Sequence, residues 1–243
     1  LASNIAHEIK NPLVAINTYF QLLPYKRDDV EFHTNFREIA LKEIGRINRI
    51  IEDMLNLAKP SNSVIRSIDP HGCIMDTINL LKHTAANKGA EITATLEEQR
   101  CQLVADEDKI RQVLINIMQN SLDALPENGC IQVNTQIIDT VSEFRKMAKI
   151  NSESIFFTFD PSQSEQTGKQ YFVIKVSDNG MGVPKGKIAH IFEPFFTNKD
   201  KGTGLGLAVV YRIIKDHKGC IYMESEEGRG TDFYVILPLN SIV

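Results

Sequence analysis

Two apolar stripes at helical spacing, one after the other, restrict the start of this chain more than any other feature. Ile5, Ile9, Leu13, Ile16, Phe20 and Leu23 recur every three or four residues. After a polar break from Pro24 to Asp29 the spacing resumes at Ile44, Ile47, Ile51, Met54 and Ala58. Each series draws one apolar face on a helix. Leu1 to Lys59 is therefore expected to form a helical hairpin. Two helices bury little alone, and stripes this continuous are best covered in a four-helix bundle assembled from two chains, so a homodimer is expected. Pro60, Ser61, Asn62 and Ser63 read as a helix end and linker. The first residue is Leu rather than Met and falls within the helical pattern, which suggests a fragment beginning inside a helix.

Beyond the linker the pattern alternates between helix and strand. Helices are expected at Pro70 to Lys88, from an Asp106 cap to about Leu125, and at Gly204 to Lys218. Strands are expected at Ala90 to Leu96, Gln102 to Ala105, Ile131 to Ile138, Tyr171 to Ser177, Cys220 to Ser225 and Thr231 to Leu237. Mixed strands with helices on one side point to a two-layer α/β sandwich. The expected division is thus a helical domain over 1–64 and an α/β domain over 65–243. The polar stretch at about 139–170 is far longer than a hairpin loop and reads as an insertion. Its Ile155 to Phe159 core is compatible with an extra strand or a docking patch, against the plainer reading of a surface loop.

Length and charge narrow the function classes. With 243 residues, 42% hydrophobic and 24% charged, the chain can hold two cores. A formal net charge of -4 without a Lys/Arg-dense stretch gives no footprint for nucleic acid. Cys73, Cys101, Cys130 and Cys220 form no C-x-x-C pair, so reduced thiols are expected rather than a zinc or redox motif. No apolar run reaches the roughly 18 residues that cross a bilayer, so no membrane contact and a cytoplasmic location are expected for this segment.

Four constellations carry chemistry. His7 lies two positions from both Ile5 and Ile9, which turns it away from the apolar stripe and toward solvent. An exposed, partly unprotonated imidazole is nucleophilic. Glu8 adjoins it as a candidate base, and Asn11 lies one turn on. Pro12 removes an amide that the Glu8 carbonyl would have used. A Pro-bent surface helix with solvated polar groups is the plain alternative.

On the helix after Asp106, Gln112, Asn116, Asn120 and Asp123 share the face opposite Ile110, Leu114 and Ile117. Amide oxygens there can complete the oxygen shell of a magnesium ion that also holds phosphates. An ordinary amphipathic helix would look the same. Asp178-Asn179-Gly180-Met181-Gly182 follows a strand, where a carboxylate can enter a pocket and glycines let a ligand approach the backbone. A tight turn is equally served. Gly202-Thr203-Gly204-Leu205-Gly206 opens the last helix and offers amides to a polyphosphate. It is neither G-x-G-x-x-G nor a P-loop.

Ser3 to Leu13 strongly resembles the phosphoacceptor box of sensor histidine kinases. The resemblance implies that His7 is phosphorylated, that Glu8 is its general base, and that Asn11 positions water when the phosphorylated partner is dephosphorylated. Asn116 to Ala124 resembles the family's asparagine box, with Asn120 as the Mg2+ ligand. Asp178 to Gly182 resembles the first glycine box, in which Asp178 accepts from the adenine amino group. Phe192 to Thr197 resembles the phenylalanine box, and Gly202 to Gly206 the second glycine box. Lys199 and Lys201 lie between these two as cations for the phosphates, or as plain solvated lysines. Gly228-Arg229-Gly230-Thr231 resembles the last glycine box, with Thr231 near adenine.

The family's fold is a dimerisation and histidine-phosphotransfer hairpin followed by a Bergerat sandwich, shared with gyrase-type and mismatch-repair ATPases. Its cofactors are ATP and Mg2+, and its partner is a separate response regulator. Lys10 to Pro24 is more locally similar to kinases that pair with NtrC-type regulators. The rivals are a Bergerat ATPase clamp, which would need a water-activating carboxylate where Asn116 stands, and a non-catalytic dimeric scaffold.

Overall fold

The computed structural model of the chain describes residues 2–58, 64–99, 101–140, 144, 155–157, 170–197 and 202–239. It separates into two compact units. Leu1–Pro60 with Glu193–Leu205 makes one, and Ser61–Phe192 with Gly206–Val243 the other.

The first unit contains the expected hairpin. Helix α1 (Ala2–Leu22) leads through a 3-10 turn at Leu23–Tyr25 into α2 (Val30–Ala58). Asp29 caps α2 by accepting from the Phe32 N–H at 2.9 Å. Near the turn, Tyr19 stacks on Phe36 with centroids 5.5 Å apart and Phe20 meets the same ring edge-on at 5.0 Å, so aromatic contacts tie α1 to α2. The single stripe expected on α2 is in fact two. Ile50 is buried and Ile47 and Met54 are half-buried, whereas Leu41, Ile44, Ile51 and Leu55 are exposed. At 100° per residue, Ile44 and Ile51 share one line and Ile47 and Met54 another about 60° away, so a stripe this wide has two faces to cover.

The second unit is an α/β sandwich. Its main sheet runs in the order β2 (Glu91–Thr95), β4 (Cys130–Ile138), β6 (Gln170–Asp178), β8 (Gly230–Leu239), β7 (Cys220–Glu226) and β5 (Ile155–Phe157). Among the described strands, only β2 and β4 pair in parallel. A separate two-stranded ladder joins β1 (Arg66–Ile68) to β3 (Leu103–Ala105). The helices are α3 (Pro70–Asn87), α4 (Glu107–Ala124), the short α5 (Lys185–Ile188) and α6 (Gly206–Asp216). Strand β1 and helix α5 were not expected, both being too short to show a period. The last helix starts at Gly206, two residues later than expected.

Along β6, Phe172, Ile174 and Val176 are buried on one face, where His71 of α3 meets the Phe172 ring. They alternate with Tyr171 and Val173, which are buried on the other face. That second face carries its own cluster of Ile138, Tyr171, Val173, Cys220, Tyr222 and Ile236, and Phe144 from the insertion joins it. The Phe144 ring lies edge-on to Tyr222 and Tyr234, at 5.6 and 5.1 Å. The described part of the insertion therefore includes a strand, at Ile155–Phe157, and an aromatic anchor; the rest, with the Pro60 to Ser63 linker, lies outside the described residues.

Asp106 fixes the start of α4. Its carboxylate accepts from the Lys109 and Val64 N–H groups, and its own N–H donates to His217 Nε2 at 3.0 Å. Among the described residues, no helix is long and apolar enough to cross a membrane, and the four cysteines are free.

Phe144 is 2% exposed. Phe144→Ala should lower unfolding free energy by about 3 kcal/mol, the usual cost of emptying a buried Phe site. Urea denaturation followed by far-UV circular dichroism measures it, and an unchanged midpoint would show that the ring anchors nothing.

Candidate nucleotide-binding site

Helix α4 builds one wall of the site. Ile110, Val113, Leu114, Ile117, Met118 and Leu122 are buried, leaving Gln112, Asn116 and Asn120 half-buried on the other side. Asn116 Nδ2 donates to the Gly206 carbonyl at 3.1 Å, which ties α4 to the start of α6. Asp123 is exposed and held by Lys88 at 2.9 Å and by Gln119 at 3.1 Å, so it belongs to a surface ion pair at the helix end.

Asp178, at the end of β6, is the hub. Its Oδ1 accepts the N–H groups of Gly180 at 3.0 Å and Thr231 at 3.2 Å, and its Oδ2 accepts the Ser121 hydroxyl at 2.7 Å. Burial raises its pKa above the usual carboxylate range; these three donors pull it back, and Asp232 adds to the rise. Around it the turn is packed backbone against backbone. Met181 N–H donates to the Ala124 carbonyl at the end of α4, and Gly228 N–H donates to the Met181 carbonyl. Ser225 Oγ accepts the Val183 N–H and also meets Thr231 Oγ1 at 2.9 Å. The glycines are required here. Gly182 has φ +67°, and a Cβ on it would sit 2.1 Å from the Glu226 carbonyl oxygen; a Cβ on Gly180 would lie 2.8 Å from the Ala124 oxygen.

In the same unit, Phe192 is buried, with its ring 6.3 Å from that of Tyr211. The structure thus brings together Asn116 with Gly206, and Asp178 with Gly180, Gly182 and Thr231. Ser121 and Ser225 were not foreseen. Ser121 occupies an apolar-stripe position, one turn after Ile117, and a polar residue there was the available signal.

The remaining candidates belong to the helical unit. Gly204 has φ +63°, and a Cβ there would meet the Phe195 backbone at 2.5 Å; Phe195 N–H donates to the Gly204 carbonyl at 2.9 Å. Gly202 is half-exposed nearby in sequence, while Lys199 and Lys201 lie outside the described residues. On α1 the backbone of His7 is helical and its side chain lies outside the described residues. Asn11 is exposed one turn on. Pro12 sits inside a continuous helix, and having no N–H it leaves the Glu8 carbonyl without a helical donor. Burial raises the pKa of Glu8, with the Arg46 charge partly offsetting the rise. Glu8 Oε2 is buried with no hydrogen-bond partner among the described residues.

Among the described residues no group of His, Cys, Asp or Glu could hold a metal by itself. The donors on offer are amides, with Asn120 among them. That set suits Mg2+, which keeps water and phosphate oxygens as most of its shell.

Residues 105–241 match the family model described as "Histidine kinase-, DNA gyrase B-, and HSP90-like ATPase", and residues 1–63 match "His Kinase A (phospho-acceptor) domain". The chain is 32% identical over 242 residues to sporulation kinase C of Bacillus subtilis, covering 99% of this chain and 49% of that protein. It is 31% identical over 240 residues to the signal transduction histidine-protein kinase AtoS of Escherichia coli, covering 99% of this chain and 34% of that one. The chain thus spans half or less of the length of these relatives. Among solved structures, histidine kinase ThkA in complex with the response regulator protein TrrA superposes with a TM-score of 0.73 at 23% identity, over 98% of this chain and 61% of that one. The Acinetobacter baumannii histidine kinase AdeS gives 0.67 at 17%, over 97% and 98%. At these identities the structures speak for the fold.

Gly182→Ala should cost about 2 kcal/mol or more, because the left-handed backbone and the adjoining carbonyl both oppose a Cβ. A denaturant titration measures it, and wild-type stability would contradict the packing described.

Proposed function

The chain belongs to the sensor histidine kinases and carries their ATP-binding domain, and from that premise we propose that it uses Mg2+–ATP to phosphorylate His7. The phosphoryl group then passes to an aspartate on a separate response regulator. We assign residues 1–64 to dimerisation and histidine phosphotransfer and 65–243 to ATP binding. The exposed Leu41, Ile44, Ile51 and Leu55 on α2 support a dimer, since a monomer would leave this apolar row in water.

The observation that carries the reading is the Asp178 cluster. A carboxylate held by Ser121, Gly180 and Thr231 is the acceptor that an adenine amino group needs. Asn116 and Asn120 on α4 face the phosphates, and Asn120 would hold Mg2+. Bound there, the ion would neutralise phosphate charge. Gly202, Gly204 and Gly206 would offer backbone N–H groups to the phosphates, and Lys199 and Phe192 are assigned to nucleotide binding with them.

In the transfer, a His7 ring nitrogen attacks the γ-phosphorus, the bond to the β,γ-bridging oxygen breaks, and ADP leaves with that electron pair. Glu8 takes the proton from the imidazole. Its raised pKa suits a base, because a carboxylate nearer the working pH accepts protons better. In the second step the N–P bond breaks as an aspartate oxygen of the regulator takes the phosphoryl group. Asn11 would place water for the reverse, dephosphorylating activity. The local likeness of Lys10 to Pro24 makes an NtrC-type regulator the expected partner. The segment works in the cytoplasm, where ATP is supplied, whether or not the whole protein is anchored. Asn116 speaks against a hydrolytic clamp: an amide bonded to the Gly206 carbonyl cannot activate water as a carboxylate does.

Incubation with γ-labelled Mg2+–ATP should give acid-labile, base-stable label on wild type and none on His7→Gln. Steady phosphate release with no label would overturn the kinase reading, and full labelling of the variant would remove His7. Asn120→Asp should slow labelling about tenfold or more, since altering a metal's protein ligand disturbs both charge and geometry. Initial labelling rates should fall as pH drops through the raised pKa of Glu8, because the base must be ionised. Glu8→Gln should be slow and keep only the acid limb that protonation of the attacking imidazole imposes; an identical pH profile in the variant would exclude Glu8 as the base.

A further inference from the structure

Ser121 is 1% exposed on the apolar stripe of α4, where a methyl group would fit the pattern better than a hydroxyl. A buried hydroxyl that spends its hydrogen bond on one acceptor fixes that acceptor. Here the acceptor is Asp178 Oδ2, at 2.7 Å, the shortest contact the carboxylate makes. The other oxygen already takes two backbone N–H groups, from Gly180 and Thr231. A carboxylate offers about four acceptor sites. Among the described residues three are filled, and the one left open is on Oδ2, beside Ser121.

We propose that Ser121 is a positioning residue that holds Asp178 as an acceptor-only carboxylate, and thereby sets the preference of the nucleotide site for adenine over guanine. This rests on the reading above, in which Asp178 meets the purine edge. Adenine presents an amino donor to the open site on Oδ2. Guanine presents a carbonyl oxygen at the same place, which an acceptor repels. The two backbone donors favour the anion but engage only Oδ1, so Oδ2 is left to Ser121. Its hydroxyl opposes both protonation and turning of that oxygen, because it donates as long as Oδ2 is an anion.

Burial already favours the neutral acid at Asp178. The facing charges on β8 and β6 are Asp232, which pushes the same way, and Lys175, which pairs with Asp232 at 2.8 Å. Without Ser121 one of the three restraining donors is gone. A protonated or turned carboxyl can then offer its O–H to the guanine carbonyl.

The test is calorimetric titration of the purified chain with Mg2+–ATP and with Mg2+–GTP, from about pH 5 to about pH 8, for wild type, Ser121→Ala and Ser121→Cys. Wild type should prefer ATP throughout. Ser121→Ala should weaken ATP binding about tenfold, as expected when a hydrogen bond to a charged group is removed, while GTP binding holds or improves. Its ATP affinity should also fall off at a higher pH than in wild type. Ser121→Cys, a weaker donor of similar size, should lie between the two. Equal losses for both nucleotides with an unshifted pH profile would overturn the proposal and leave Ser121 a packing residue. Failure of the wild type to bind ATP at all would overturn the underlying reading of the site, a result recognisably different from the first.

Discussion

The last rung of the β6–β8 ladder, Asp178 opposite Thr231, is the constraint on which the rest of the site depends. Antiparallel pairing along the full length of both strands sets the register, and a slip by one residue would turn the Asp178 side chain to the other face of the sheet. From that rung the chain must turn at once, and it does so through glycines whose neighbours leave no room for a Cβ. The Gly230 backbone passes so close to the Asp178 carbonyl that a Cβ would sit 1.9 Å from it. The turn after β6, the hairpin before β8 and the end of α4 are thus held together by backbone contacts, with the carboxylate and Ser121 between them.

A site built this way needs a sheet that does not move, and both faces of this one are covered. Helices α3 and α4 bury Phe172, Ile174 and Val176, while Phe144 and the aromatic rings of Tyr222 and Tyr234 cover the opposite side. The cap at Asp106 and its link to His217 couple the start of α4 to the end of α6. The helix that carries Asn116, Asn120 and Ser121 is therefore located at both ends. The helical unit has the opposite character. Its hairpin is closed by aromatic rings near the turn and leaves an apolar row on α2 open, as expected of an element that finishes its packing on a second copy.

Much of this was legible in the sequence wherever a period was long enough to read. The hairpin, α4 with its Asp106 cap, and the strands flanking the insertion follow from spacing and turn chemistry, and the order of the glycine-rich segments identified the family. Three things were not legible. Strand β1 has three residues and no period, so only its partner β3 reveals it. The two faces of α2 merge into one stripe in a one-dimensional reading, because Ile44 and Ile47 are both apolar and only burial separates them. Ser121 was not singled out, since its hydrogen bond goes to Asp178, 57 positions away in the chain. The insertion shows the same limit: a surface loop was the plainer reading of its Ile155 to Phe159 core, and only the pairing of Ile155–Phe157 with β7 shows the strand.

The proposed seat of the nucleotide is the end of the α/β unit around Asp178, and hydrogen–deuterium exchange of the backbone with and without Mg2+–ADP reads it out. Exchange should slow chiefly at Asn116 to Ala124, Asp178 to Val183 and Gly230 to Thr231, with β2 and the hairpin turn near Tyr25 unchanged. Saturating nucleotide that leaves those three segments untouched, or protects a different end of the sheet, would contradict it.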